Sequence, residues 1–579
     1  MTESPREVLA SGVESLARHL QPDGTLHDEV FGCPTQYGTA YFGWCCAVLG
    51  QQERASRVLA AALAHTADPG LEPYASGFDR QTLSVVGWLN HRDFTWPPIL
   101  KTYLSLGSDP GLQDGLAGVE VHASFRARPP SNWAAVWMSG EWLRMRAGLS
   151  PTSAEQFDEW IDVFFTGVDG VGVDEADRVG FALELGMYLE RGLPNSYDLF
   201  TRAHFTDLLL SGYDGRNRER LESFLTTGLR RSLATQLSDG SMASGYRSAG
   251  QTWVLGAQIA LFTGSRVLGL GTEVEREEAR IGAWRAFDSL ARWQRPARED
   301  QPGATFSPVQ NLLAPELRVG YERYTADGHY SALALGFLAS AIVAGFGDDE
   351  RPSAAELDGR TSSALAEGAP SNRGVAHRGR VSVGVLAEAD DTYDATGLVD
   401  LTFGSGRLLH FVTAVRHLSG GPWLVPGLAL RERAGASEVT PLAGQPHRLL
   451  SPLAGSDDGL AFSSAVGDEN GLRHDLAVRL TETGVEVVES TPGRVGYVSL
   501  LIPYLRDLGS GDVTEVSISA TGVRFALGAE WVEFSVEVGI ERAVVLPYGY
   551  ESRRGLCGLV RIDLAEPADT LTWSVLSSP

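Results

Sequence analysis

The chain has 579 residues, too many for one ordinary hydrophobic core, so two domains are expected, one of them large. Hydrophobic residues make up 43% of the chain and charged residues 21%, as in a typical globular protein. The net charge of −25 argues against generic binding to nucleic acids or anionic membranes, and the single lysine, Lys101, leaves almost no room for Schiff-base or P-loop lysine chemistry.

The first residues and the cysteines bear on where the protein works. Met1 to Glu7 is mixed in charge and leads into an amphipathic stretch, which is unlike a signal peptide. No apolar run approaches the roughly 20 residues that a membrane span needs. The four cysteines, Cys33, Cys45, Cys46 and Cys557, have neither a metal-binding spacing nor a disulfide framework. We therefore expect a cytoplasmic protein.

Residues 1–347 are predicted to form successive helices separated by short loops. Apolar residues recur at spacings of three and four, for example within 58–63, 254–261 and 333–342. Asp-Gly pairs recur between such stretches, and Gly accepts the positive φ of a tight loop. Ten or more helices joined in this way form a bundle, a superhelix or a toroid of helical hairpins.

The pattern changes after residue 347. Residues 348–374 contain Pro352, Pro370 and many small residues but almost no large apolar ones, which predicts a linker. From residue 375 to 579 the hydrophobic period becomes two, as in 381–385 (VSVGV) and 532–538 (VEFSVEV). Many short strands of this kind indicate an antiparallel β-sandwich.

Four short segments carry most of the polar groups suited to sugar chemistry. They are Asn132-Trp133, 196–204 (SYDLFTRAH), 245–251 (GYRSAGQ) and 322–330 (ERYTADGHY). With these segments and its helical-then-β order, the chain resembles the toroid-plus-β-sandwich polysaccharide lyases, such as the heparinase II/III-like and oligo-alginate lyase groups. The resemblance implies an N-terminal (α/α) toroid over 1–347, a linker over 348–374 and a C-terminal antiparallel β-sandwich over 375–579.

The resemblance also implies roles for residues. In such lyases an Asn or Gln, often with an Arg, neutralises the uronate carboxylate, while Tyr and His transfer the protons of the elimination. The catalytic residues implied here are Asn132, Tyr246, Arg247, His329 and His204. The implied substrate-binding residues are aromatic or polar side chains of the same segments and of one Pro-rich stretch: Trp133, Tyr197, Arg202, Gln251, Glu322, Tyr324, Tyr330 and Trp96.

Ordinary structural roles fit several of these residues equally well. Ser131 or Asn132 suits the N-cap of the helix that follows. Arg202 stands four residues after Asp198, a spacing typical of an ion pair on a helix surface. His204 suits a structural role as well as a catalytic one. Trp96, in the stretch 94–98 (FTWPP), suits core packing as well as sugar stacking.

No cofactor is expected. The chain has no His-Glu-x-x-His helix, no Cys pair at zinc spacing and no EF-hand loop. A calcium or zinc ion held by scattered residues of the β region, including His377, His410 and His417, is left open. Nucleotide-binding glycine motifs do not occur between a predicted strand and a helix.

Three functions are compatible with the sequence. The first is a lyase that cleaves uronic-acid-containing oligosaccharides by β-elimination, with an acidic oligosaccharide as its partner, no nucleic acid or membrane, and a homodimer left open. The second is a glycoside hydrolase on an (α/α) toroid, which needs two carboxylates from among Glu322, Asp198, Asp239 and Glu141. The third is a non-catalytic carbohydrate-binding protein on the same fold.

Overall fold

The structure is a computed structural model that describes residues 3–67, 78–79, 84–85, 92–119, 130–167, 179–190, 195–295, 305–322, 324–360, 362–367, 372–388, 393–404, 414–467 and 471–578. The chain divides into two compact units. The first unit comprises Met1–Leu233, Gln251–Val309 and Tyr321–Arg351, and the second comprises Ala234–Gly250, Gln310–Gly320 and Pro352–Pro579.

Helices dominate the first unit. Over the described residues its helices are α1 (Pro5–Ala17), α2 (Gln36–Val48), α3 (Gln52–Ala67), α4 (Arg92–Ser105), α5 (Gln113–Gly118), α6 (Asn132–Arg146), α7 (Ala154–Thr166), α8 (Asn195–Leu210), α9 (Arg218–Thr235), α10 (Thr252–Val267), α11 (Glu273–Ala291) and α12 (Asp327–Val343). Three short hairpins accompany them: β1 (Phe78–Asp79) with β2 (Ser84–Val85), β3 (Gly180–Ala182) with β4 (Met187–Leu189), and β5 (Gln294–Arg295) with β6 (Thr305–Phe306). One more short helix, α13 (Ala354–Asp358), belongs to the second unit.

Six of the described helices close into a ring. In the order α2, α4, α6, α8, α10 and α12, each helix packs against the next, and α12 packs back against α2. The ring helix α12, for example, consists almost wholly of apolar and small residues and is buried on nearly every side. By contrast, α3, which packs against α2 and α4, buries one face only. The first unit is therefore the (α/α) toroid that was predicted.

Two glycines allow neighbouring ring helices to approach closely. A Cβ atom on Gly140 of α6 would lie 2.6 Å from the backbone nitrogen of Pro97 in α4. A Cβ atom on Gly336 of α12 would lie 2.3 Å from a ring carbon of Tyr41 in α2. Only glycine leaves room for these contacts, so both positions help to fix the diameter of the ring.

In the part of the second unit that the structure describes, the strands form three antiparallel sheets. The first has the order β10-β9-β8-β7, the second β11-β22-β23-β18-β12-β13, and the third β14-β15-β16-β17-β24-β21-β20-β19. The strands are β7 (Ser363–Glu367), β8 (Arg373–Arg378), β9 (Val381–Leu386), β10 (Gly397–Phe403), β11 (Val415–His417), β12 (Gly427–Arg431), β13 (Thr440–Pro441), β14 (His447–Ser456), β15 (Gly459–Val466), β16 (Leu472–Leu480), β17 (Gly484–Ser490), β18 (Tyr497–Asp507), β19 (Glu515–Ile518), β20 (Gly522–Leu527), β21 (Glu530–Val536), β22 (Ile540–Ser552), β23 (Gly555–Leu564) and β24 (Thr570–Ser577).

The alternation predicted for these strands matches their burial. In β16, Leu476, Val478 and Leu480 face the core, while Arg473 and Arg479 are exposed. These inward residues join one apolar cluster that extends through all three sheets. The prediction of an antiparallel β-sandwich after the toroid is thus confirmed.

The predicted linker and domain boundaries differ from the structure. Within 348–374, α13 forms behind a Ser353 capping box, and β7 pairs with β8. Two earlier segments, Ala234–Gly250 and Gln310–Gly320, also belong to the second unit. The backbone N–H of Leu312, for example, donates to the carbonyl of Leu508. Such pairings join residues far apart in the chain, so composition alone does not indicate them.

None of the helices within the described ranges is both long and apolar enough to cross a membrane.

Candidate active site

The N-terminal parts of four ring helices, α2, α4, α8 and α12, meet at one end of the toroid. Tyr37, in the first turn of α2, stacks on His329 of α12 with ring centroids 3.9 Å apart. Tyr37 also contacts Phe94 of α4 at 5.4 Å, and Phe94 contacts Phe200 of α8 at 5.3 Å. Unsatisfied backbone N–H groups and the positive ends of helix dipoles therefore gather here. This end of an otherwise acidic chain is suited to an anionic group.

Glu322 and Tyr324 form a hydrogen-bonded pair just ahead of α12. The Tyr324 hydroxyl donates to the Glu322 carboxylate, and both side chains are half-buried. The backbone N–H of Glu322 donates to the Thr325 hydroxyl at 3.2 Å, which fixes the loop. A phenol that donates to a carboxylate has an acceptor for its own proton and can act as a general base.

Tyr330 lies behind this pair. Its ring is 6.2 Å from that of Tyr324, and its hydroxyl is hydrogen-bonded to Tyr37. Burial raises the pKa of Tyr330 well above its ordinary value, and the neighbouring Tyr37, Tyr197 and Glu322 raise it further. Tyr330 is therefore protonated at neutral pH and serves as a hydrogen-bond donor.

Gln251 connects α10 to the loop that carries Glu322. Its Nε2 donates to the Thr325 hydroxyl at 2.9 Å, and its Oε1 accepts from the indole N–H of Trp253 at 2.8 Å. The ring of Tyr197, which is half-buried, lies 6.0 Å from Trp253. The structure thus brings together six of the predicted residues in the first unit: Tyr197, Gln251, Glu322, Tyr324, His329 and Tyr330.

Asn132 is the first residue of α6, and the N-cap is Ser131, whose hydroxyl accepts from the N–H of Ala134 at 3.0 Å. Capping therefore leaves the Asn132 amide available for other contacts. Its Nδ2 donates to Glu190 at 2.5 Å, and its buried Oδ1 has no hydrogen-bond partner in the described part of the chain. The neighbouring Trp133 is half-buried, as a sugar-contacting residue requires.

Arg202 differs from its predicted role. The guanidinium is fully buried and pairs with Asp198 at 2.7 Å, and Asp198 also pairs with Arg231 at 2.9 Å. Two further bonds from Arg202 reach the Gly228 carbonyl and the Ser232 hydroxyl. The predicted surface pair is instead a buried network that ties α8 to α9, and it presents no free positive charge to a substrate.

His204 lies near the middle of α8, beside a small cavity inside the ring. Burial, together with the positive charge of Lys101, lowers the pKa of His204 to about 3, so the imidazole is neutral at pH 7. The cavity wall also contains Lys101, whose Nζ lies 2.6 Å from Asp207 and 3.0 Å from the Ser340 hydroxyl. His204 thus supplies no positive charge.

Trp96 is a core residue and not an exposed sugar platform. It is 1% exposed, and its indole N–H donates to Glu141 at 3.0 Å. The Arg144 guanidinium lies over the ring at 5.4 Å and also contacts Glu141. Burial of a Trp with a satisfied N–H is typical of core packing, the alternative already raised by the sequence.

Tyr246 and Arg247 belong to the second unit, where both are half-buried. Tyr246 has a φ of 61°, which costs a non-glycine residue about 1–3 kcal/mol. The surrounding structure holds this turn, because the Tyr246 N–H donates to Asp394 at 2.7 Å and its carbonyl accepts from Arg553 at 2.5 Å. Arg553 in turn contacts Asp394 at 3.3 Å. Strain held in this way is frequent at functional sites.

Gln36 and Arg295 were not predicted, yet both lie near the N-terminal ends of ring helices. Gln36 is fully buried at the start of α2, and neither end of its amide has a hydrogen-bond partner within the described ranges. Arg295 binds Asp327, the first residue of α12, at 3.0 Å, and also the Tyr321 hydroxyl at 2.7 Å. The polar first turn of an otherwise apolar helix was the available signal for Gln36.

Asp28 is a buried carboxyl beside the same end of α12. Its Oδ2 accepts from the Gly328 N–H at 2.9 Å. Burial, together with the nearby negative charge of Asp327, raises the pKa of Asp28 to about 6. Because the pKa is higher in the folded state, the folded protein binds more protons than the unfolded chain between about pH 4 and 6.

We therefore expect stability to fall as pH rises through this window, by up to about 3 kcal/mol from this group alone. Asp28→Asn removes this titrating group. Between pH 4 and 7 the free energy of unfolding of the variant should therefore fall less than that of the wild type. Thermal melts across this range measure the difference, with the exposed Asp114→Asn as a matched control. Parallel pH curves for wild type and Asp28→Asn would contradict the assignment.

No cluster of three or more His, Cys, Asp or Glu side chains suited to a metal ion occurs among the described residues. His377 bonds to Ser382 and to the Ala234 carbonyl, and His417 bonds to Ser419. The predicted His410 lies outside the described residues.

No protein-family model and no curated protein sequence matches this chain. Its structure is similar to the chondroitin AC lyase of Streptomyces coelicolor A3 in complex with chondroitin sulphate, with a TM-score of 0.52 and 13% identity over 99% of this chain and 79% of that chain. A mutant of that enzyme gives a TM-score of 0.53, with the same identity and coverage. A chondroitinase AC lyase studied with oligosaccharides gives 0.50, at 10% identity over 98% of this chain and 80% of that chain.

Proposed function

From the fold of the toroid-plus-β-sandwich polysaccharide lyases, which this chain shares, we propose that the protein is a lyase. It would cleave uronic-acid-containing oligosaccharides by β-elimination. The observation that carries the proposal is the half-buried Tyr324–Glu322 pair at the end of the toroid where the ring helices begin. The reaction takes the proton from C5 of the uronate, forms a C4–C5 double bond and breaks the bond between C4 and the glycosidic oxygen, which then gains a proton.

The residues at this end supply the groups that elimination needs. Tyr324 accepts the C5 proton, with Glu322 as the acceptor for its own hydroxyl proton. Asn132, aided by the helix N-termini, stabilises the carboxylate as negative charge builds on it. Tyr330, which is protonated at neutral pH, is the candidate donor to the leaving oxygen.

The carboxylates favour elimination over hydrolysis. A glycoside hydrolase needs two accessible acids. Asp198 and Glu141 are fully buried, in contact with Arg202 and Arg144 respectively. Asp239 is 1% exposed and bonded to Ser241 and Arg554. Of the four acids considered, only Glu322 is accessible.

The reaction type is tested by incubating the protein with uronate oligosaccharides of the chondroitin, heparan and alginate classes. We expect a rise in ultraviolet absorbance from the unsaturated uronate, and products whose masses add up to the mass of the substrate. A hydrolase would instead add one water per cleavage and produce no such absorbance. If none of the substrates gives either kind of product, the proposal of catalysis on uronates is contradicted.

Asn132→Ala tests the proposed neutralisation of the carboxylate. We expect kcat/KM on a uronate substrate to fall by about 10²–10³, because one preorganised donor is lost. A methyl-esterified uronate carries no charge to neutralise, so the variant should lose far less activity on it. Ser131→Ala, which removes only the helix cap, serves as the control. An equal loss on both substrates would contradict this role.

A further inference from the structure

The second unit contains a cavity that opens to solvent and has an interior volume of about 210 Å³. Three loops form it: residues 394–396 ahead of β10, residues 422–423 between β11 and β12, and residues 443–447 between β13 and β14. Sites for drug-sized ligands typically occupy about 300–1,000 Å³. This smaller cavity matches a single sugar ring and not a longer oligosaccharide.

The lining changes from apolar at the mouth to polar at the base. Pro422 and Pro446 are exposed, and Trp423 is half-buried. Asp394 and Thr396 are buried, at 3% and 4% exposure. Apolar rings combined with a few fixed polar groups suit a ligand that has both C–H faces and hydroxyl groups.

The charged groups of the lining are compensated. Asp394 lies 3.3 Å from Arg553 and accepts from the Tyr246 N–H. Burial lowers the pKa of His447 to about 4, so its ring is neutral at pH 7. Both ring nitrogens of His447 are hydrogen-bonded, one to the Ser464 hydroxyl at 2.8 Å and the other to the Leu442 carbonyl at 2.9 Å. The nearest arginines, Arg416 and Arg553, are already paired with Glu551 and Asp394, so an anionic ligand would lose its hydration without gaining an uncompensated positive charge.

We propose that this cavity binds a neutral saccharide unit, at a site distinct from the residues assigned to elimination. The ring of Trp423 and the two prolines pack against sugar C–H groups, while Asp394, Thr396 and Gln445 bond to hydroxyls. The site goes beyond the proposed function, because it binds sugar without cleaving it. Whether this cavity binds sugar therefore does not depend on whether the protein catalyses elimination.

The test uses methyl α-D-glucoside, methyl α-D-galactoside and N-acetyl-D-glucosamine as neutral probes and D-glucuronate as the charged comparison. Binding to the full chain is measured by saturation-transfer NMR and by calorimetry. We expect at least one neutral probe to bind with a Kd on the order of 1 mM, a usual affinity for a small ligand with few contacts. D-glucuronate should not bind at the cavity.

Two variants locate the binding. Trp423→Ala and Gln445→Ala should each raise the Kd for the neutral probe about tenfold, a loss of roughly 1.4 kcal/mol in binding free energy. The matched control is Trp531→Ala, since Trp531 is also half-buried and also lies beside an arginine, with Arg524 at 4.4 Å where Trp423 has Arg416 at 5.0 Å. Asp394 is left intact because it also holds the Tyr246 turn.

Three results would overturn the proposal: no neutral probe binds, D-glucuronate competes equally for the cavity, or both variants retain wild-type affinity. Trp423 packs against a small apolar cluster that includes Leu386 and Val425, so its removal can lower stability. In that case Gln445→Ala, at a half-buried loop position, decides the result. No measurement in this set involves bond cleavage, so loss of the lyase proposal leaves the outcome interpretable.

Discussion

Replacing Tyr324 by Phe is expected to lower kcat for elimination by about two to four orders of magnitude. The substitution keeps the ring and removes only the hydroxyl that donates to Glu322. KM should change little, since the ring still packs near Tyr330. Initial rates of unsaturated uronate formation measure the effect, and Tyr548→Phe, at a residue that is 57% exposed, is the control.

Glu322→Gln separates the proposed base, Tyr324, from its proton acceptor. The amide cannot take the Tyr324 proton, so activity should fall and the remaining activity should move to higher pH. A merely structural role for Glu322 would lower activity equally at every pH.

The Tyr324 assignment would fail if Tyr324→Phe kept more than about a tenth of wild-type kcat, well above the range expected from losing a general base.

Replacing Arg202 by Met is expected to lower the free energy of unfolding by about 3–5 kcal/mol. The change removes one of the two arginines that pair with the buried carboxylate of Asp198, and that carboxylate cannot regain water. Denaturant unfolding followed by helical circular dichroism measures the loss. In contrast, Arg479→Met removes an exposed pair with Glu486 and should cost less than about 1 kcal/mol.

An Arg202→Met loss of less than about 1 kcal/mol would mean that the network contributes no more than a surface ion pair. A double variant, Asp198→Asn with Arg202→Met, extends the test. Because it removes the buried charge together with its partner, it should recover part of the stability lost by Arg202→Met alone.

The sequence predicted elements better than it predicted contacts between distant residues. Spacings of three and four located the ring helices, and alternation in segments such as 532–538 located the strands. The Asp198–Arg202 spacing suggested an exposed pair, because nothing local indicates that Arg231, a whole helix away, completes the network. Burial depends on such distant partners, and so does the difference between a surface pair and a core one.

The same difference between local and distant information applies to the candidate site. Glu322, Tyr324, His329 and Tyr330 lie within nine residues of each other, so one loop and one helical turn bring them together. Ser131 and Asn132 both suit the N-cap of α6, and only the backbone geometry shows that Ser131 is the cap. The assignment of Tyr246 to the second unit depends on its bond with Asp394, 148 residues later.

The single lysine has a practical consequence. A protease specific for lysine has one cleavage site in this chain, after Lys101, and an amine-reactive reagent has Lys101 and the α-amino group. In the folded protein Nζ is held by Asp207 and Ser340 in the interior of the ring, with 15% of the side chain exposed. Cleavage or labelling at Lys101 should therefore track opening of the helical ring, which gives the protein a built-in probe of local unfolding without any engineered residue.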